Sequence, residues 1–127
     1  MVDDKKTLSG TISFLTSEAF KYHQEGNLKE AKNIYEQILE HKPKHFDALQ
    51  LLGILYGQIN EKDKAIKLLE LALQIKPDDA ATLNNYGVIL TEVNRTNDSY
   101  EALDKATNIK PNYAEAFSNK GNTLKLL

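Results

Sequence analysis

Residues 46–79 read FDALQLLGILYGQINEKDKAIKLLELALQIKPDD, and this stretch decides the fold. In its first half Phe46, Leu49, Leu52, Gly53 and Tyr56 recur at spacings of three and four, which places them on one face of a helix. After Asn60 the same spacing returns with Ala65, Ile66, Leu69, Ala72 and Leu73, so a second amphipathic helix follows the first. Asn, like Gly, readily takes the left-handed conformation that ends a helix. The stretch closes on Ile75-Lys76-Pro77, where the residue before proline resists the helical region.

Working outward, the same unit recurs. Pro43, Pro77 and Pro111 lie 34 residues apart, and a fixed period in this range marks a stack of similar units. The units are 12–45, 46–79 and 80–113, with a partial unit over 114–127 and a polar lead-in over 1–11. Together 12–127 form one all-α repeat domain. The first unit carries Leu15, Ala19, Tyr22, Ala31, Tyr35 and Ile38, and the third Leu83, Tyr86, Gly87, Leu90, Leu103 and Ala106. Gly26, Asn60 and Asn94 hold the same place between paired helices. Asn27, followed by Glu30 three residues later, has the spacing of a capping box. The pattern predicts helices near 11–25, 28–41, 45–58, 61–75, 79–93, 97–109 and 113–126.

Small residues at Ala19, Gly53, Gly87 and Gly121, and at Ala31, Ala65 and Ser99, let paired helices approach closely while larger neighbours fill the gaps. Each hairpin leaves an apolar face that only its neighbour can cover, so stability comes from stacking.

Composition narrows the function classes. The chain has 127 residues, 41% of them hydrophobic and 27% charged, as in a globular domain rather than a disordered chain. With 16 basic and 18 acidic residues its formal net charge is -2, against the clustered cations of a nucleic-acid binder. Cysteine is absent, which excludes disulfides and thiolate metal sites. No apolar run reaches the length of a membrane span, and Met1-Val2-Asp3-Asp4-Lys5-Lys6 lacks the apolar core of a signal peptide. A cytoplasmic location is the default.

Catalysis has little support. His41 and His45 are four apart, but Pro43 between them keeps them off one helix face, so they read as solvated loop histidines. His23 lies near a helix end and reads as a partner of free carbonyls or water. Asp78 and Asp79 read as helix-start residues favoured by the dipole. Glu30, Lys32, Glu36, Lys62, Lys64, Lys67 and Glu70 read as a solvated outer face. No phosphate loop, nucleophile elbow or Cys-His pair is present. The chain therefore reads as a non-enzyme with no cofactor and no metal.

The repeat resembles the tetratricopeptide repeat, whose signature runs from a large apolar residue through Leu-Gly, an aromatic, Ala and an aromatic to a final Pro. The second unit supplies Leu49, Leu52-Gly53, Tyr56, Ala65, Leu69 and Pro77; the third supplies Leu83, Tyr86-Gly87, Leu90, Ser99, Leu103 and Pro111. The first is looser, with Leu15, Glu18-Ala19, Tyr22, Ala31, Tyr35 and Pro43, and the fourth stops after Phe117, Lys120-Gly121 and Leu124. The resemblance implies a right-handed superhelical solenoid of antiparallel helix pairs, three units plus one further helix. It also implies a protein or peptide partner, bound in the concave groove lined by the first helix of each unit.

That resemblance puts three rows in the groove. They are Thr16, Gln50, Asn84 and Ser118; Ser17, Leu51, Asn85 and Asn119; and Phe20, Ile54, Val88 and Asn122. Amides suit a peptide backbone because each offers a donor and an acceptor. Asn85 and Asn119 fall where repeats of O-linked N-acetylglucosamine transferases carry an asparagine ladder, though such amides also simply solvate an open helix face. Repeats that clamp a chaperone's C-terminal carboxylate use two Lys, an Arg and two Asn. The matching Thr16, Phe20, Leu51, Ala81 and Asn85 include no cation, so that mode is not expected.

Three functions stay open on this reading. The first is a peptide-binding module, and the second is the substrate-recruiting arm of a larger glycosyltransferase-like enzyme. The third is a module that self-associates into a homo-oligomer through exposed terminal helices, since Leu124, Leu126 and Leu127 end the sequence without a polar tail. Neither nucleic acid nor membrane is expected as a partner.

Overall fold

The computed structural model describes residues 4–127, with side chains from Gly10 onward. Seven helices follow one another among these residues: α1 (Asp4–Gln24), α2 (Leu28–His41), α3 (Phe46–Gln58), α4 (Lys62–Ile75), α5 (Ala80–Glu92), α6 (Thr96–Ile109) and α7 (Ala114–Leu124). Helix α1 begins at Asp4, well before the start predicted near residue 11, so the lead-in is helical from that point. Residues 1–3 of the lead-in lie outside the described residues. The other boundaries fall within two residues of those predicted from the pattern.

The turns inside the hairpins share one geometry. Gly26, Asn60 and Asn94 have φ of 81°, 65° and 65°. In each turn the following amide reaches back to a carbonyl five residues earlier: Asn27 to Tyr22 at 2.9 Å, Glu61 to Tyr56 at 2.8 Å and Arg95 to Leu90 at 2.8 Å. This is the Schellman closure of a helix on a left-handed residue. It also explains why the expected capping box fails to form. Asn27 sits at φ -85° and ψ 69°, not in the extended backbone a cap needs, and its side chain makes no cap bond. Before each proline, Lys42, Lys76 and Lys110 leave the helical region at φ -134°, -128° and -126°.

Within each hairpin the glycines determine how closely the helices pack. A β-carbon placed on Gly53 would lie 2.9 Å from Leu69 Cδ2, and one on Gly87 would lie 2.6 Å from Leu103 Cγ. On the second helices the small residues Ala31, Ala65 and Ser99 are fully buried. Ser99 replaces the alanine of the other units at no polar cost, because its hydroxyl donates to the Gly87 carbonyl at 2.6 Å. The core runs as one cluster over α1–α5 and a second over α5–α7, with Tyr86 packed against both.

Between hairpins a second device recurs at the repeat spacing. Glu36, Glu70 and Asp104 each reach forward to a first helix of the next unit. Tyr56 OH donates to Glu36 at 2.7 Å, Tyr86 OH donates to Glu70 at 2.8 Å, and Lys120 Nζ pairs with Asp104 at 2.7 Å. Glu36 and Glu70 are therefore stacking contacts, not only the solvated face that the sequence pattern implies.

Burial, aided by the bonds to Glu36 and Glu70, pushes the Tyr56 and Tyr86 phenols up to about 12; burial alone does the same for Tyr35. In the unfolded chain these phenols ionise near their ordinary value of 10. Above that the unfolded state loses protons first, so the stabilising share of all three is complete below pH 10 and is lost as pH rises towards 12. Denaturant midpoints taken from pH 8 to 12 should hold steady, then fall from about pH 10, and Tyr86→Phe should flatten part of that fall.

The first helices draw together across the stack: α1 approaches α3, α3 approaches α5, and α5 approaches α7. No two of α2, α4 and α6 do so among the described residues. A stack pinched along one side curves towards it, so the first-helix face is the concave one. No described helix is long and apolar enough to cross a membrane.

Candidate functional site

The close passage of α3 against α5 opens a cleft on this concave face. It has a volume of ≈ 310 Å³ and is lined by Ile54, Gly57, Gln58, Asn85, Val88, Ile89 and Glu92. Gly57 lets the helices meet: a β-carbon there would stand 3.0 Å from Ile89 Cδ1. Ile54 and Val88, one repeat apart, give the apolar floor, and Asn85, one turn before Val88, gives an amide.

Gln58 and Glu92 complete the wall one turn beyond the Phe20, Ile54, Val88 and Asn122 row. The sequence reading did not reach them, although carrying the row forward by four residues would have done so. Gln58 is held from behind. Its Oε1 accepts from His23 Nε2 at 2.7 Å, and His23 Nδ1 faces Tyr35 OH at 3.2 Å. His23 thus braces the groove instead of meeting free carbonyls or water, the role expected from its place in the sequence. With its oxygen engaged, Gln58 keeps its NH₂ as the donor for the cleft. Glu92 adds the one carboxylate of the lining and stands 3.6 Å from Lys62 Nζ at the exposed rim.

The other expected residues fall elsewhere. Gln50 Nε2 donates to Thr82 Oγ1 at 2.8 Å and to Asp79 Oδ2 at 3.2 Å, which ties α3 to the start of α5. Asp79 caps α5 as a helix-start residue should, accepting from Thr82 N at 3.1 Å. His45 also caps: its Nδ1 accepts from Ala48 N at 3.2 Å, so it is not a merely solvated loop histidine. Asn84 is buried and accepts from Asn119 Nδ2 at 3.0 Å, which ties α5 to α7. Thr16 bonds its own helix at Ile12 O and lines a separate pocket with Ser13, Ser17, Lys42, His45 and Asp47. Phe20, Ser118 and Asn122 are exposed on the first helices and line neither cavity.

The two asparagines that resemble a ladder therefore differ. Asn119 holds the stack, while Asn85 stands free in the cleft. Replacing Asn119 by Ala strands the buried Asn84 oxygen and should cost about 1–3 kcal/mol in thermal or denaturant unfolding. Asn85→Ala should stay within about 0.5 kcal/mol of the parent chain.

Among the described residues no group of three or more His, Cys, Asp or Glu could hold a metal ion. The site offers an apolar slot, neutral amides and one acid at its rim.

Comparison with known proteins agrees with the repeat fold. The tetratricopeptide repeat family profile matches residues 22–81. A mutant O-GlcNAc transferase of Thermobaculum terrenum superposes over 98% of the chain with a TM-score of 0.89 and 26% identity. The chain spans only 23% of that enzyme's length. The first repeat domain of Spaghetti, bound to an HSP90 peptide, superposes over 91% of both chains with a TM-score of 0.87 and 15% identity. MamA of Desulfovibrio magneticus RS-1 covers 88% of this chain, which spans 63% of it, with a TM-score of 0.83 and 20% identity. No curated protein sequence is a match.

Proposed function

Since the chain is a tetratricopeptide repeat protein whose units resemble those of an O-GlcNAc transferase, we propose that it is a non-catalytic module that binds a peptide or protein segment along its concave groove. The cleft between α3 and α5 carries this reading: Ile54 and Val88 would seat an apolar side chain while Asn85 and Gln58 meet the backbone beside it. Phe20, Ser118 and Asn122 would extend the contact along the stack, with Thr16, Gln50, Asn84 and Asn119 framing it.

A structural neighbour carries an HSP90 peptide. Here the cleft lining holds no Lys or Arg, so the ligand would be read through apolar and amide contacts instead of a carboxylate clamp.

To test this, peptides selected from a random library on the immobilised chain would be titrated against Ile54→Asp/Val88→Asp, with helix content checked by circular dichroism. Loss of about tenfold or more in affinity is expected, since central apolar contacts are each worth over 1 kcal/mol. Equal affinity for the folded double variant would refute the reading.

The likeness to the transferase repeats over nearly the whole chain favours a second reading, a substrate-recruiting arm of a larger enzyme. A transcript that runs on past Leu127 into an α/β catalytic domain would support it, and a stop codon there would remove it.

A further inference from the structure

The three turns between units share Lys-Pro and then diverge. The first reads His41-Lys42-Pro43-Lys44-His45, whereas the second continues Lys76-Pro77-Asp78-Asp79 and the third Lys110-Pro111-Asn112-Tyr113. The first folds around an open pocket of ≈ 570 Å³ lined by His41, Lys42, Pro43, Lys44, His45 and Phe46. Lys76 brings a third ammonium to its wall, with Nζ 4.3 Å from the centre of the Phe46 ring. His45 accepts from Ala48 N through Nδ1, so its neutral ring carries the proton on Nε2 and keeps a donor there.

Gathering like charges costs free energy unless an opposite charge offsets it. Among the described residues none of Lys42, Lys44 and Lys76 forms an ion pair. The acids that follow Pro77 are committed elsewhere: Asp78 pairs with Lys105 at 3.4 Å, and Asp79 caps α5. The pocket lining holds no carboxylate, and Asp47 lines the separate pocket shared with Ser13 and Ser17.

We infer that this pocket binds a short acidic segment of a partner protein, a run of Asp or Glu whose carboxylates meet Lys42, Lys44 and Lys76. Ammonium groups act as separate point charges, which suits several single carboxylates better than one planar group held in a fork. The positive charge is confined to one turn while the chain as a whole carries -2, so a long polyanion such as nucleic acid would be repelled beyond the pocket. The site lies at the turn between α2 and α3, shares no residue with the cleft between α3 and α5, and does not depend on what that cleft binds.

The probe is a fluorescent hexaglutamate peptide titrated against the whole chain at low salt. Saturable binding is expected, and Lys42→Glu/Lys44→Glu should weaken it by at least about tenfold. Both lysines are exposed, so the variant should keep its helix content by circular dichroism. Lys29→Glu/Lys67→Glu makes the same change of net charge on exposed residues of α2 and α4, and should leave affinity within about threefold of the parent. The inference is overturned by absence of saturable binding up to millimolar peptide, or by equal losses in the two variants, which would reduce the effect to net charge. It is also overturned if an oligothymidylate binds more tightly than hexaglutamate and loses that binding in Lys42→Glu/Lys44→Glu, because the occupant would then be a nucleic acid.

Discussion

Replacing Leu69 by Ala is expected to lower the unfolding free energy by about 2–5 kcal/mol. Leu69 is fully buried where α4 closes on α3, with its branch seated over Gly53. Truncation removes the transfer energy of the lost atoms and leaves a void that two rigid helices cannot fill by relaxing. The site is also central: α3 contacts α1, α2, α4 and α5, so loosening its hairpin weakens both neighbours. Native domains have only about 5–15 kcal/mol to lose, so the variant should melt well below the parent chain. Urea denaturation followed by circular dichroism measures this directly. A loss under about 1 kcal/mol would mean that the α3–α4 seat is not a packed core.

Gly87→Ala should destabilise by about 1–3 kcal/mol, although alanine is the better helix former by about 1 kcal/mol. The added carbon would sit 2.6 Å from Leu103 Cγ and 2.8 Å from its Cδ2. Rotation about χ2 leaves Cγ in place, so Leu103 must change χ1 inside a packed core or the helices must part. Gly121→Ala supplies the contrast. Its new carbon meets open space, so only the propensity term remains and stability should rise slightly. Identical substitutions at equivalent places in the repeat thus carry opposite signs, which helix propensity alone cannot produce. Thermal melts of the two variants side by side decide the point.

Most of the architecture was legible because it rests on periodicity. Prolines 34 residues apart, Gly26, Asn60 and Asn94 between helices, and small residues facing large ones all translate into geometry by local rules. The start of α1 was not legible, since residues 4–10 show no apolar stripe to mark a helix there. The capping box at Asn27 failed for a different reason: the left-handed turn at Gly26 had already fixed the backbone of the next residue.

The groove was readable only in outline. The resemblance to tetratricopeptide repeats pointed to the first-helix face, but which amides remain available depends on pairings between repeats. Asn84 with Asn119, Gln50 with Thr82 and His23 with Gln58 join residues 32 to 35 positions apart, where no local pattern points from one to the other. The acid row of Glu36, Glu70 and Asp104 could have been found at the repeat spacing. Its partners could not, because Tyr56 and Tyr86 occupy different places in their units.

The stacking rule itself is tested most directly by a double-mutant cycle between Gly87 and Leu103. Gly87→Ala and Leu103→Ala should each destabilise the chain, one by crowding and the other by a void. Together they should be less harmful than their sum by at least about 1 kcal/mol, because removing the leucine branch makes room for the new carbon. Additive losses would mean that glycine and leucine do not seat against each other, and the helix spacing on which the groove depends would be contradicted.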